Sequence, residues 1–235
     1  MFVIPAIDLK DGKCVRLKQG RKDDVTVYSD DPVAMAKRWE GEGATLIHVV
    51  DLDGAFSGEQ KNLNWVAKIC GAVKCNVQLG GGLRSREAVE RALGTGVSRV
   101  VLGTKALSEP FLDRILAEYG ESIIVGIDAR DGKVAVEGWT QKSDVDAFDF
   151  ARKVSAMGAN RIVFTDVQTD GMLTGPPLAS VGRLCVSVHG FVIASGGVGS
   201  VEDVKALQHL RHSNLEGVIV GKALYEEKFT LKDVS

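Results

Sequence analysis

Asp8 and Asp128 hold the same place in two copies of one pattern. Ile7-Asp8-Leu9-Lys10-Asp11-Gly12-Lys13 returns 120 residues later as Ile127-Asp128-Ala129-Arg130-Asp131-Gly132-Lys133. Each aspartate closes an apolar run, and two carboxylates facing one ligand from opposite sides suit paired general acid and general base work. The plainer alternative is that each caps loop N–H groups. Asp11 and Asp131 belong to Asp-Gly turns and read as structural.

Three further matches follow in the same order. Val49-Val50-Asp51-Leu52 parallels Phe164-Thr165-Asp166-Val167, and Gly80-Gly81-Gly82-Leu83 parallels Ser195-Gly196-Gly197-Val198, both 115 residues apart. Val101-Leu102-Gly103-Thr104 parallels Ile219-Val220-Gly221-Lys222 at 118. Glycine lets backbone N–H groups converge on an anion, helped by the positive end of a following helix. Gly81 and Gly82 with Gly103 and Thr104, and Gly196 and Gly197 with Gly221 and Lys222, are thus two candidate phosphate cradles. A matched pair of them predicts a ligand phosphorylated at both ends. For Asp51 and Asp166, ligand orientation and loop hydrogen bonding both fit. The loop from Gln168 to Pro176, which holds Asp170 and Gly175, and the one around Gly138-Trp139-Thr140 are candidate ligand-closing loops. Trp139 either stacks on a planar heterocycle or packs under its loop. Lys18 to Asp24 reads as a lid or an ordinary solvated loop. His48 reads as a packed core residue, His209 and His212 have no plausible ligand partners, and no metal site assembles.

The elements that must position these residues are eight short β-rich runs: Val3 to Leu9, Leu46 to Leu52, Asn76 to Leu79, Arg99 to Gly103, Ile123 to Asp128, Arg161 to Val167, Phe191 to Ser195 and Gly217 to Gly221. Most are nearly continuous Val, Ile and Leu, the mark of strands buried on both faces of a parallel sheet. Helical patterns lie between most of them, as at Pro32 to Glu42 and Ser85 to Leu93. Ser85 and Ser200, each followed by acidic residues, resemble helix N-termini. Eight such units in 235 residues predict a (β/α)8 TIM barrel. The repeat makes it two fused (β/α)4 halves, about 1–120 and 121–235, within a single domain. An open doubly wound sheet is disfavoured because no GxGxxG follows the first strand.

Composition bounds the partners. The 29 basic and 31 acidic residues leave a net charge of -2, which gives no basic surplus for nucleic acid or an anionic membrane. No apolar run is long enough to span a bilayer and the start lacks a signal-peptide pattern, so a cytoplasmic, monomeric protein is expected. The four cysteines fit neither a metal knuckle nor a redox pair and are read as reduced thiols. The 27 glycines against five prolines point to many tight turns or close backbone approaches.

Pro5-Ala6-Ile7-Asp8-Leu9, His48-Val49-Val50-Asp51-Leu52-Asp53-Gly54-Ala55, Gln78-Leu79-Gly80-Gly81-Gly82, Gly126-Ile127-Asp128-Ala129-Arg130, Asp170-Gly171-Met172-Leu173-Thr174-Gly175-Pro176 and Ala194-Ser195-Gly196-Gly197-Val198 together closely resemble the ProFAR isomerase family of histidine biosynthesis. The likeness runs from Ile4 to Phe229. It implies a half-barrel-symmetric fold, a bisphosphorylated small-molecule substrate, no cofactor and no metal. The implied reaction is an Amadori rearrangement of an aminoaldose to an aminoketose. Carried over by position, Asp8 is the base, Asp128 the proposed acid, and Thr165 and Asp170 are further implicated residues. The ring-opening proton is assigned to Asp128 or to Asp170. Arg16, Arg84 and Trp139 fall where the family holds its substrate by charge and stacking. Met172 and Pro177 stand where the family more often has Thr and Asn, which implies a tuned loop. Rival readings are the sister cyclase of imidazole glycerol phosphate synthase, an isomerase that also accepts phosphoribosylanthranilate, and a catalytically silent phosphosugar-binding barrel.

Overall fold

The computed structural model describes residues 1–17, 24–136, 138–139 and 141–234. Among these residues lie twelve strands: β1 (Phe2–Lys10), β2 (Lys13–Leu17), β3 (Val25–Ser29), β4 (Leu46–Asp51), β5 (Asn76–Gly80), β6 (Arg99–Leu102), β7 (Ile123–Arg130), β8 (Lys133–Val136), β9 (Gln141–Asp146), β10 (Arg161–Asp166), β11 (Phe191–Ser195) and β12 (Leu215–Val220). Eight of them pair in parallel in the order β1, β4, β5, β6, β7, β10, β11, β12. Phe2↔Gly217 through Pro5↔Val220 then joins β12 back to β1 and closes the barrel. Closure leaves no edge among these strands.

Alternation along the strands divides the core in two. Ile4, Ala6, Leu46, Ile124, Val163, Ile193 and Ile219 pack inside the barrel. Ile7, Leu9, Ile47, Val49 and Leu79 face outward onto helices bearing Trp39, Leu112 and Ile115. Helices begin where the sequence offers caps. Asp31 accepts from the amides of Val33 and Ala34 at the start of Pro32–Gly41. Ser85 caps Arg86–Leu93, and Ser200 forms a capping box with Asp203 at the start of Val201–Gln208.

The expected barrel and helix starts are present, and the strand ends shift slightly. Leu52 leaves β4 to begin the helix Leu52–Ser57, because the Asp51 side chain caps it. Two antiparallel hairpins are additional: β2 and β3 extend β1, and β8 and β9 extend β7. Their first turns are the two Asp-Gly pairs, with φ of 49° and 76° at Asp11 and Gly12, and 51° and 75° at Asp131 and Gly132. Positive φ at both central positions is the type I′ pattern that matches strand twist. Both hairpins occupy the same place in the repeat, so the halves share more architecture than their sequence matches indicate.

Candidate active site

The C-terminal ends of the barrel strands open onto a cavity of about 220 Å³. It exists because inward positions near the mouth carry little bulk: Ala6, Gly80 and Gly126 line it. Asp8, Arg16, Asp128, Trp139, Thr165 and Asp170 surround it, and Gly81, Gly82, Arg84, Gly103 and Thr104 form one side. A smaller adjoining recess is bordered by Gly196, Gly197, Gly221 and Lys222. Arg16 and Asp170 line both spaces and stand between them.

The carboxyls are electrostatically coupled. Arg16 Nη1 lies 2.8 Å from Asp8 Oδ2, and both side chains are largely buried. Burial pushes the Asp8 carboxyl up to about 6, with Arg16 opposing and Asp170 adding to the rise. Asp128 is also raised by burial, while hydrogen bonds from Trp139 and Thr165 favour its ionised form. Asp170 is raised by burial against the pull of Arg16. Its carboxyl has no hydrogen-bond donor among the described residues, unlike those of Asp8 and Asp128. Burial thus raises all three carboxyls, and Arg16 opposes the rise at Asp8 and Asp170 but not at Asp128, the kind of perturbed acidic cluster that acid and base work uses.

Four of the glycines singled out in the sequence lie in the left-handed region. Gly81 and Gly82 have φ of 100° and 72°, and Gly196 and Gly197 have 93° and 86°. A Cβ on Gly81 overlaps the Asp51 carbonyl, and one on Gly197 overlaps the Gly175 carbonyl. Each pair therefore lets one βα loop press against its predecessor. Gly175 does not line either space; its amide donates to Gly197 O at 2.9 Å and so braces the cradle from behind. Lys222 Nζ donates to Gly171 O at 3.1 Å, and Arg84 Nη2 to Ala55 O at 3.0 Å on the rim.

Trp139 faces the cavity and bonds Asp128, which supports a site role over packing under its loop. It has φ of 70°, and the adjacent Gly138 approaches Phe56 so closely that a Cβ there sits 2.9 Å from the ring. The second half thus leans over the first. Asp51 belongs to its loop: it accepts from the amides of Gly54, Lys61 and Asn62 at 2.9, 2.7 and 3.0 Å. Asp166 likewise accepts from the Gln168 amide at 2.9 Å. His48 is buried as expected, yet it also lines the cavity, bonded to Gln78, a residue the sequence did not single out. Residues 18–23 of the first candidate lid, and Thr140, lie outside the described residues.

A (β/α)8 barrel with acidic groups held between two glycine-built recesses is a phosphosugar-enzyme type of architecture. The chain belongs to the histidine biosynthesis protein family, whose family model matches residues 2–230. It is similar, at 50% identity over 99% of its length and 89% of the relative, to the 1-(5-phosphoribosyl)-5-((5-phosphoribosylamino)methylideneamino) imidazole-4-carboxamide isomerase of Desulforudis audaxviator. The protein of the same name from Opitutus terrae is 52% identical over 100% of this chain and 97% of its own. The one from Persephonella marina is 49% identical, covering 99% and 97%.

Proposed function

We propose that this chain is the isomerase of histidine biosynthesis that converts ProFAR, the bisphosphorylated aminoaldose in its relatives' name, to the corresponding aminoketose. Near-50% identity over whole chains carrying that name is the observation that carries the reading. The site is chemically suited to it. A phosphate at each end of the substrate is held by Gly81, Gly82, Gly103 and Thr104 on one side and by Gly196, Gly197, Gly221 and Lys222 on the other, with Arg84 at the rim. The reacting sugar then lies among the carboxyls.

Asp170 supplies the ring-opening proton. Among the described residues no donor meets its oxygens, and burial favours its protonated form. Protonation of the ring oxygen breaks its bond to C1′ as the amine lone pair forms an iminium. Asp8 removes the C2′ proton to give an enolamine; return of that proton to C1′ and loss of the 2′-hydroxyl proton to the Asp170 carboxylate then form the ketone and restore both carboxyls. Asp128, with two donors on it, serves as the fixed carboxylate that steadies the developing positive charge. Trp139 both fixes Asp128 and closes over the ligand. The electrons move from C2′ to C1′ within one molecule, so no external oxidant is consumed. No helix among the described residues is long and apolar enough to cross a membrane; a cytoplasmic enzyme fits that.

The test is turnover of ProFAR by purified protein without ammonia or a glutaminase partner. Conversion to the aminoketose is expected. No conversion by folded protein overturns the reading, and ammonia-dependent cyclisation favours the sister cyclase. Phosphoribosylanthranilate in a parallel assay decides whether a second aminoaldose is accepted.

A further inference from the structure

The first half-barrel carries a polar pair that the second half replaces with hydrocarbon. His48 of β4 and Gln78 of β5 are register partners, with Gln78 Nε2 3.0 Å from His48 Nδ1. The repeat relates them to Val163 of β10 and Ile193 of β11, also register partners, which belong to the apolar filling inside the barrel. Their other neighbours match too: Ala6 stands beside His48 and Gly126 beside Val163. His48 and Val163 therefore meet the cavity at equivalent positions, and both line it.

Placing an imidazole and an amide in an apolar layer costs stability, and Gln78 Oε1 is buried without a partner. Packing alone does not account for such a pair. Burial, reinforced by Arg16, holds the imidazole down at about 4, so it is neutral at physiological pH. With Gln78 donating to Nδ1, the ring proton sits on Nε2. That nitrogen has no protein partner among the described residues.

A ligand with like phosphates at both ends fits two like cradles in either direction. Charge at Arg16 or Lys222 does not say which phosphate enters which cradle, because both ends carry the same group. Only the middle of the ligand differs along its length. We propose that His48, oriented by Gln78, is a positioning residue that fixes the direction of the ligand by donating a hydrogen bond from Nε2 to an oxygen or nitrogen acceptor in its central portion. Val163 offers nothing equivalent, so the reversed ligand forfeits the bond. This rests on the proposed bisphosphate substrate.

Phosphorus-31 spectra of bound ProFAR test it, in an Asp8→Asn background that halts turnover. One direction gives one pair of bound resonances. His48→Val combined with Gln78→Ile copies the second half and leaves no orphaned amide. It is expected to add a second pair, whose ratio to the first rises about tenfold as the preference worth one hydrogen bond is lost. Without the Asp8 change, the same double variant should lower kcat about two- to tenfold while ligand affinity moves less than about threefold. His48→Gln, which keeps a donor, should restore a single pair. If the double variant does not unfold cooperatively, Gln78→Met is used and should show the second pair at a smaller share. A single pair in the variants with kcat unchanged overturns the proposal. Absence of ProFAR binding overturns it together with the isomerase reading; binding in one direction without turnover by the native protein overturns the isomerase reading alone.

Discussion

The two half-barrels agree in backbone and diverge in the side chains they present to the cavity. Gly103 and Gly221, which open the two cradles, have φ and ψ of −93° and −115° and of −111° and −89°. The strand-end aspartates and the hairpin turns match equally well. The divergence is selective. Arg16 on β2 corresponds to Val136 on β8, Asp170 to Ala55, Thr165 to Val50, and Lys222 to Thr104. The shared features are the glycine turns and the strand-end aspartates; the unshared Arg16, Thr165 and Asp170 line the cavity and Lys222 the second recess. On the proposed function, a fold with near-twofold symmetry would hold a two-ended ligand while an asymmetric overlay makes one sugar reactive.

The sharpest break of that comparison is at the acidic pair that both halves present to the cavity, Asp8 and Asp128. Asp8→Asn is expected to lower kcat by roughly 10²- to 10⁴-fold, the usual contribution of a general base. Affinity for a bisphosphate ligand should stay nearly intact, because neither cradle is touched. Asp128→Asn should cost less, since Trp139 and Thr165 already satisfy that carboxyl. Equal losses in the two variants, measured by steady-state kinetics, would show that the pair remains chemically symmetric.

Arg16 tests the overlay itself. As the proposed base Asp8 must be a carboxylate, and burial raises it to about 6, so kcat/KM should fall as the pH drops below that value. Arg16 opposes the rise. Arg16→Gln is therefore expected to move the acid limb to higher pH, with kcat/KM near neutrality lowered roughly tenfold or more. An acid limb that stays put or moves down would remove Arg16 from the electrostatics of Asp8.

The barrel was legible because its strands are continuous Val, Ile and Leu runs at repeating offsets, and the paired glycine turns at its mouth because they recur at the same offsets. The hairpins were not. Lys13–Leu17 is only five residues long and Gln141–Asp146 is mostly polar; the first is held by pairing to the extended end of β1 and the second by pairing to β8, which itself pairs with the extended end of β7. Asp51 and Asp8 look alike in sequence, each at the end of an apolar strand. Only the downstream loop, which returns the amides of Lys61 and Asn62 to Asp51, makes one a scaffold and leaves the other in the cavity. His48 shows the same limit: an apolar strand announces burial, but which inward layer a residue reaches depends on the register of closure.

The smallest expected effect discriminates most finely, because it uses one substitution at both related positions. A Cβ on Gly103 meets nothing within 4 Å, whereas one on Gly221 overlaps the Arg16 guanidinium. Gly103→Ala should change stability by no more than about 0.5 kcal/mol. Its methyl enters the space offered to phosphate, so KM should rise several-fold, an order-of-magnitude figure for a lost close approach, with the pH profile unmoved. Gly221→Ala must push Arg16 aside. Besides raising KM, it should shift the acid limb of kcat/KM upward, in the direction of Arg16→Gln and by a smaller amount. If the two alanines give the same pH profile, Arg16 reaches Asp8 independently of the second cradle, and the overlay is separable from the symmetric binding frame beneath it.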